Sequence, residues 1–334
     1  MATLEIRRID PHDEQLLRAW WEIGRDATAD RPVDAWTPWE VSRRALPIAR
    51  TDGTLVLVSA FEGERSVGAG MVFLFRQDNT HLGEVAVYVA PGNRRRGIGR
   101  AVLAELERRA RCAGRTVLIG SAYAPVDGES PASMFAADSG FPVGSAEETK
   151  VVDLRTAPVT WPPLDAEVGA ALGGYRVTVF DQRIPDDHLD DFCRLLSAFL
   201  GEVPIGDLDL RQASWTPERV RENEERAAAV GRVQVIAAAV APDGHLCGFS
   251  DLRVNRADPR HASVGGTLVL PGHRGHRLGL GMKLATHRRL LELYPECAYV
   301  ETGNAGVNAA MNAVNERLGY RVVERCLDVQ KRLG

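Results

Sequence analysis

The chain has 334 residues, of which 45% are hydrophobic and 26% charged, and its formal net charge is −4. This length suits two domains of about 150 residues each, and the scattered arginines lack the basic footprint of a nucleic-acid-binding protein. Early charged residues and the lack of an apolar run of about 18 residues predict a cytoplasmic protein without membrane or nucleic-acid partners.

The first half predicts strands and helices in a clear order. A strand is expected over 4–9 and a helix over about 13–29. Two β-rich runs follow, "TLVLVSAFEG" and "SVGAGMVFLF", and then an apolar strand over 83–90. A glycine-rich turn leads to a helix that ends near Gly114, and "TVLIGSAY" is another buried strand.

The second half repeats that order. It contains "YRVTVF", a helix over 185–200, a helix that starts at "TPERVRENEE", three strand-like runs, a second glycine-rich turn with its helix, and the strand "CAYVETGN". Pro91 and Gly92 match Pro271 and Gly272 at an offset of 180 positions, which indicates an internal duplication. We expect modules at 1–155 and 174–334, joined by an extended proline-bearing linker at 156–173.

Five cysteines lie far apart, at positions 112, 193, 247, 297 and 326. They fit neither a disulfide framework nor a zinc site. We expect buried apolar residues, since free cysteine is among the most buried types, and no metal centre.

The two glycine-rich turns, "APGNRRRGIGRAV" at 90–102 and "LPGHRGHRLGLGM" at 270–282, suit an anion. A strand that enters such a turn and then a helix leaves backbone N–H groups unpaired at the positive end of the helix dipole, and that end binds phosphate. Neither copy has the P-loop spacing. The turn also comes too late in each half for a dinucleotide-binding fold.

Arg94-x-x-Gly97-x-Gly99 resembles the R/Q-x-x-G-x-G/A signature of the GNAT acyltransferases, which bind the pyrophosphate of coenzyme A. The flanking "VYVAPGNRRRGIG" and "ASMFAADSGF" resemble the fourth strand and a late helix of that fold, and the C-terminal run is similar to tandem GNAT proteins. The resemblance implies an α/β (α+β) fold of two GNAT modules. Each would have a twisted, mixed, largely antiparallel sheet flanked by helices, with splayed fourth and fifth strands.

The resemblance also implies a set of cofactor-binding residues, for acetyl-CoA or another acyl-CoA. In the first module they are Val87, Val89, Arg94, Arg95, Arg96, Gly97, Ile98, Gly99 and Arg100. In the second they are Val269, Arg274, Gly275, His276, Arg277, Leu278, Gly279, Asn304 and Asn308.

Glu84 is the candidate general base, because it lies on the strand before the first turn, near where several GNAT enzymes place a glutamate. Its apolar neighbours could raise its pKa, although an ordinary solvated carboxylate is the alternative. The usual general acid of the family, a tyrosine four residues before the late glycine, is replaced by Ala136 and Asn315. Val264 stands where Glu84 does and Arg277 where Gly97 does, so we favour the first module for catalysis.

Acceptor recognition in this family comes from the first two helices of a module and their loop. The candidate residues there are Asp34, Trp36 and Trp39 in the first module, and Glu202, Asp207, Asp209 and Trp215 in the second. Acids with aromatics suit a cationic amine, unless the tryptophans only pack on the sheet and the acids are solvated. We assign His188, His273 and His276 to surface and cap roles.

The leading hypothesis is a coenzyme A dependent N-acyltransferase that transfers acetyl from acetyl-CoA directly to the primary amine of a small molecule in a ternary complex. A longer acyl donor and a degenerate module that binds coenzyme A without turnover are the alternatives. The sequence leaves monomer and homodimer open.

Overall fold

A computed structural model describes residues 4–34 and 36–334. The chain divides into two compact units that are not contiguous halves. The first comprises the described residues up to Ala146 together with Ile205–Arg211 and Glu324–Gly334. The second comprises Glu147–Pro204 and Gln212–Val323. The predicted boundary near 155 therefore differs from the observed one, because each unit recruits a segment from the other half of the chain.

The first part of the chain forms the elements that the sequence predicts, plus two that it does not. The strands are β1 (Leu4–Ile9), β2 (Gly53–Glu62), β3 (Arg65–Phe75), β4 (Leu82–Tyr88), β5 (Val117–Ala124) and β6 (Val143–Asp153). The helices are α1 (Glu14–Thr28), α2 (Trp39–Ala45), α3 (Ile98–Cys112) and α4 (Pro131–Asp138). Helix α2 was implied only by the family resemblance, and strand β6 was not anticipated.

The later part follows the same order. Its strands are β7 (Arg176–Asp181), β8 (Arg232–Val240), β9 (Leu246–Asn255), β10 (Asp258–Val269), β11 (Tyr299–Ala305) and β12 (Arg321–Arg332). Its helices are α5 (Pro162–Ala171), α6 (Leu189–Phe199), α7 (Pro217–Ala229), α8 (Leu278–Leu293) and α9 (Ala309–Arg317). No helix in the described ranges combines the length and apolar character needed to cross a membrane.

The last strand of each sheet comes from the other half of the chain. In the first unit the strand order is β1-β2-β3-β4-β5-β12, and β12 pairs with β5 from Arg325↔Ala124 to Arg332↔Val117. In the second unit the order is β6-β11-β10-β9-β8-β7, and β6 pairs with β11 from Tyr299↔Asp153 to Ala305↔Glu147. In both sheets every assigned neighbouring pair is antiparallel except β4–β5 and β10–β11.

Helices cover the sheet of the first unit on both faces, because successive side chains of its strands point to opposite faces and apolar residues occur on each. Val58, Val72 and Leu118 pack with the apolar stripe of α3 on one face. On the other face, Trp20 and Trp21 of α1 pack over the strands nearest β1. Asp13 begins α1 by accepting hydrogen bonds from the N–H groups of residues 15 and 16, which satisfies helix-end donors.

The prediction of an extended linker is corrected by the structure, in which much of 156–173 is helical. Helix α5 occupies Pro162–Ala171. The prolines at its start fit the first helical turn, where no N–H donor is required. Trp161 is fully buried before them and donates a hydrogen bond from Nε1 to the Leu318 carbonyl at 3.3 Å. The segment is therefore part of the second unit's core.

The exchanged strand β12 makes an ion pair in the interior of the first unit. Arg31 Nη2 lies 2.6 Å from Glu324 Oε1, with side-chain exposures of 14% and 3%. We predict that Glu324→Ala lowers the free energy of unfolding by about 3 kcal/mol, since removal of one partner leaves a buried charge. Urea unfolding measures the change. Glu5→Ala, which removes an exposed pair with Arg7, serves as the control, and an equal effect of both variants would contradict the prediction.

Candidate active site

Both glycine-rich turns have the same backbone path from strand to helix. After β4, one 3₁₀ turn over Pro91–Asn93 leads to α3, and after β10 the same turn over Pro271–His273 leads to α8. Each turn has two left-handed positions, Arg95 (φ 64°) and Gly97 (φ 80°) in the first, Gly275 (φ 91°) and Arg277 (φ 56°) in the second. Glycine and arginine have exchanged places, so Arg277 does not change the backbone of the second turn.

The helix starts after both turns present unpaired backbone donors. Neither Gly97 nor Arg277 caps its helix with a side chain. Among the described residues, none accepts a hydrogen bond from the backbone N–H groups at 97–100 or 277–280. With the dipoles of α3 and α8 behind them, both ends can hold a diphosphate.

The arginines of the first turn divide into a bracing pair and an open pair. Arg94 donates to the Val89 carbonyl at 3.2 Å and the Ala27 carbonyl at 3.1 Å, and Arg96 pairs with Glu62 at 2.6 Å. Arg95 and Arg100 are exposed, and neither forms an ion pair with a described residue. The two open guanidinium groups therefore supply the positive charge beside the first helix start.

The cations of the second turn are occupied by nearby acids. Arg274 pairs with Glu202 at 2.7 Å, and Arg277 pairs with Glu167 of α5 at 2.7 Å. His276 contacts the Ala171 carbonyl at 3.3 Å, and His273 contacts Tyr175 Oη at 3.1 Å. The two turns thus share one backbone but differ in the charge that an anion would meet.

Separation of the fourth and fifth strands of each sheet is confirmed. β4 and β5 pair only from Leu82↔Val117 to Glu84↔Ile119, although both strands run further. β10 and β11 likewise pair only as far as Ser263↔Glu301. In the second unit a register shift between 264 and 266 marks the bulge where the gap opens. Each gap leads from its glycine-rich turn into the sheet.

The remaining predicted cofactor residues flank these gaps. Ile98 and Leu278 bury their side chains in the two cores, so only their backbone faces the turn. Val87 and Val89 pack against the first core, and Val269 against the second. A Cβ on Gly99 would lie 3.3 Å from Phe135, whereas one on Gly279 would meet nothing within 4 Å.

Glu84 lies on the sheet face opposite α3, at the last residue of β4 that pairs with β5. Its side chain is exposed, but protein surrounds it, and this desolvation raises the pKa of the carboxyl. Asp328 raises that pKa further, while Arg50 lowers it. Burial and the Glu84 charge also raise the pKa of Tyr88 to about 12.

Strand β12 adds a second acid to this face, and the sequence alone did not predict it. Asp328 accepts a hydrogen bond from Ser121 Oγ at 2.8 Å. Ser121 lies two residues beyond Ile119, the partner of Glu84, so it points to the same face. Burial raises the pKa of Asp328. No local signal links residue 328 to the first module, since the link depends on the exchanged strand.

Of the predicted acceptor residues, Trp36 contacts Tyr88, the tyrosine whose pKa the Glu84 charge raises. The Trp36 ring lies 5.1 Å from the Tyr88 ring, and its buried Nε1 has no hydrogen-bond partner among the described residues. Asp34 is exposed and accepts from the Trp36 N–H at 3.4 Å. Arg31 stacks on Tyr123 at 3.4 Å beside them. These side chains border the Glu84 face with aromatic surface.

The other predicted acceptor residues lie elsewhere. Trp39 packs on Trp21 at 5.8 Å, and the Trp215 N–H donates to Ser197 Oγ at 3.0 Å in the second unit. Asp207 and Asp209 belong to the first unit, where Asp209 Oδ1 lies 3.2 Å from His81 Nε2. His188 packs near Phe180.

Asn304 and Asn308 are held by protein contacts in the second unit. Asn308 caps α9 by accepting from the Met311 N–H at 3.2 Å. Asn304 is buried, and its Oδ1 accepts from Lys150 Nζ at 3.2 Å and from Asn315 Nδ2 at 2.9 Å. Within the described ranges, no group of three or more histidine, cysteine or acidic side chains could hold a metal ion.

Comparison with known proteins shows which family model and which solved structures this chain resembles. The Acetyltransferase (GNAT) family model matches residues 14–124. A search of curated proteins gave no match. A tandem GNAT protein from the clavulanic acid biosynthesis pathway is 28% identical, with a TM-score of 0.83 and 99% of each chain covered.

Two further solved structures share the fold at lower identity. A GCN5-related N-acetyltransferase from Sphaerobacter thermophilus is 18% identical, with a TM-score of 0.66, over 99% of this chain and 96% of that one. A GCN5-related N-acetyltransferase from Kribbella flavida is 15% identical, with a TM-score of 0.51, over 99% of this chain and 72% of that one.

The left-handed conformation of Gly97 gives a stability prediction, with the helical Gly279 as its comparison. Gly97→Ala should lower the free energy of unfolding by about 1 kcal/mol, because its φ of 80° is unfavourable for an L-residue and nothing else opposes the methyl group. Gly279→Ala adds a methyl group to open space within α8, so it should be neutral or stabilise by up to about 1 kcal/mol. Urea unfolding compares the two variants, and equal effects would contradict the conformational assignment.

Proposed function

Because this chain is a tandem protein of the GNAT family and a GNAT-type N-acetyltransferase, we propose that its first unit acylates a small cationic amine. The donor is acetyl-CoA or another acyl-CoA, and the acyl group passes directly to a primary amine in a ternary complex. The supporting observation is the position of Glu84, a solvent-accessible carboxyl with a raised pKa at the mouth of the first strand gap.

The first glycine-rich turn is suited to the diphosphate of coenzyme A. The unpaired N–H groups at 97–100 and the open side chains of Arg95 and Arg100 provide donors and charge, while Arg94 braces the turn against β4 and α1. The gap between β4 and β5 would take the pantetheine arm. Coenzyme A supplies an activated thioester when bound.

Glu84 would act as general base for the acceptor. The amine nitrogen forms a bond to the acyl carbon, the carbon–sulfur bond breaks, and the amine proton passes to Glu84 directly or through a water. A raised carboxyl pKa makes Glu84 a better base near neutral pH. Buried Leu103 and Ala136 provide no acid in the first unit, so the thiolate leaves unassisted there, as a good leaving group can.

The acceptor side favours a cation. Glu84 and Asp328 give negative charge to the sheet face opposite α3, and Tyr88 and Trp36 provide aromatic edges and faces beside it. An ammonium group is attracted by both. This combination supports a small amine that carries positive charge.

The function is tested by incubating the protein with acetyl-CoA and a panel of amines while free thiol is measured. Thiol release that requires both reactants supports the proposal. Release only with longer acyl-CoAs would replace the acetyl donor. Calorimetric binding of coenzyme A without release for any donor and amine would identify a binding protein instead of an enzyme.

One prediction of the proposed function concerns the pH profile of turnover. The Glu84 carboxyl acts as a base only when it is ionised, so turnover should rise with pH through a pKa above the ordinary glutamate value of about 4.3. Glu84→Gln should lower kcat by about 10²–10⁴-fold and remove this acidic limb. Glu64→Gln, at an exposed turn, is the control. An unchanged profile in Glu84→Gln would exclude it as the base.

A second prediction compares the two turns. Arg94→Ala should weaken coenzyme A binding by about tenfold, roughly 1.4 kcal/mol, because Arg94 fixes the turn through two carbonyl groups. Arg277→Ala should weaken it less, since Arg277 is already paired with Glu167. Calorimetry measures both. A larger effect of Arg277→Ala would transfer the main cofactor site to the second unit.

A further inference from the structure

The second unit contains a buried polar cluster beside its strand gap. We call Lys150, Lys283, Asn304, Asn312 and Asn315 the lysine–asparagine cluster. Lys150, Lys283, Asn304 and Asn315 are 6%, 1%, 8% and 0% exposed, respectively. They come from four elements, β6, α8, β11 and α9.

Hydrogen bonds join the cluster into one chain. Lys283 Nζ donates to Asn315 Oδ1 at 2.6 Å, and Asn315 Nδ2 donates to Asn304 Oδ1 at 2.9 Å. Lys150 Nζ donates to Asn304 Oδ1 at 3.2 Å and to Asn312 Oδ1 at 2.6 Å, and it pairs with Glu148 at 2.9 Å. Lys150 thus has a carboxylate, whereas none of the described carboxylates pairs with Lys283.

The first unit shows that the fold does not require this chemistry. Leu103 stands where Lys283 does in the duplicate, and Ala124 where Asn304 does, both at an offset of 180. Ala136 takes the place of Asn315 at an offset of 179, the one that aligns Gly140 with Gly319. Leu327 pairs with Ala122 as Lys150 pairs with Thr302. Four apolar residues fill these positions in the first unit.

Burial of two lysines is costly, because each ammonium group loses its water. An apolar core at the same positions is cheaper, and the first unit has one. The polar version therefore indicates a functional demand in the second unit.

The position of the lysine–asparagine cluster in the strand gap indicates which atom of coenzyme A it would meet. Asn304 lies three residues beyond Glu301, the last β11 residue that pairs with β10, so it borders the open gap. Asn315 lies four residues before Gly319, where the family resemblance expects the group that meets the cofactor sulfur. An ammonium group at this end of the gap complements a negative sulfur.

We propose that the lysine–asparagine cluster is the thiolate-binding end of a second coenzyme A site, located in the second unit. The proposal rests on the proposed function only for the identity of the cofactor. It gives the second unit a means of accepting the thiolate leaving group that the first unit lacks.

The acid–base state of Lys283 suits this role. Burial and the nearby Lys150 charge lower the pKa of Lys283 to about 7. A thiol that arrives next to the neutral amine can transfer its proton to Nζ, which gives a thiolate and an ammonium group. In acyl transfer the exchange runs the other way. The thiolate that leaves takes a proton from the Lys283 ammonium group, which becomes the neutral amine. Balance requires no other reactant.

The groups that face Lys283 do not supply a competing charge. Burial lowers the pKa of His287 to about 3, so this histidine is neutral, and its Nε2 lies 2.7 Å from Tyr320 Oη. Burial raises the pKa of Tyr320, so the phenol is neutral too. Lys150 and Glu148 form the ion pair at the other end of the chain.

The experiment measures the ionisation of the coenzyme A thiol on the protein. An Arg95→Glu/Arg100→Glu background disfavours binding at the first turn. The thiolate absorbance of bound coenzyme A is titrated with pH, and desulfo-coenzyme A provides the baseline. Lys283→Met is compared with Leu103→Met, the same change at the duplicate position in the first unit. Thermal unfolding shows whether both variants are folded at the temperature of the titration, because Lys283→Met leaves the buried Asn315 Oδ1 without its Lys283 donor.

We expect the bound thiol to have a pKa at least about one unit below that of free coenzyme A, a tenfold shift toward thiolate. Lys283→Met should abolish this shift, and Leu103→Met should retain it. Equal thiol pKa values with and without Lys283, or no coenzyme A binding in the background variant, would overturn the proposal. Failure of the proposed function is a separate result, in which the unmodified protein releases no thiol with any donor and amine.

Discussion

The hydrogen-bonded ladder between β5 and β12 is the constraint on which the candidate active site depends. It runs from Arg325↔Ala124 to Arg332↔Val117 and places Asp328 opposite Ser121. This pairing brings an acid from the end of the chain to the face that carries Glu84. The candidate site is therefore a product of both halves of the sequence, although the first glycine-rich turn and Glu84 come from the first half alone.

Duplication gave two units with one backbone plan and different chemistry. The turns place glycine and arginine at opposite left-handed positions and still reach the same path. The first unit keeps open arginines, an accessible glutamate and an apolar core below its strand gap. The second pairs its arginines with acids and buries lysines and asparagines at the corresponding gap. The differences lie in side chains that the backbone does not dictate.

The sequence predicted the helices and strands that carry strong periodicity, together with the turns and the strand separation. The glycine spacing indicated the GNAT family, and the offset of about 180 positions indicated an internal duplication. The sequence could not predict which strand pairs with β5, because the alternation of apolar and polar residues indicates which face a side chain lies on and not which strand lies next to it. Asp328 was missed for this reason, and Asp207 and Asp209 were assigned to the wrong unit. Trp39 packs on Trp21 and Trp215 packs in the second unit, and a sequence does not distinguish such tryptophans from Trp36. The prolines of α5 fit a helix start as well as an extended linker.

The separation of β5 and β12 along the chain has a consequence for biosynthesis. Strand β12 is translated well after β5, once the segments of the second unit have been made. Until then strand β5 lacks this neighbour, which exposes backbone groups to other chains. The nascent first unit therefore stays incomplete while the second unit is synthesised, and the face that carries Glu84 acquires Asp328 only when β12 arrives.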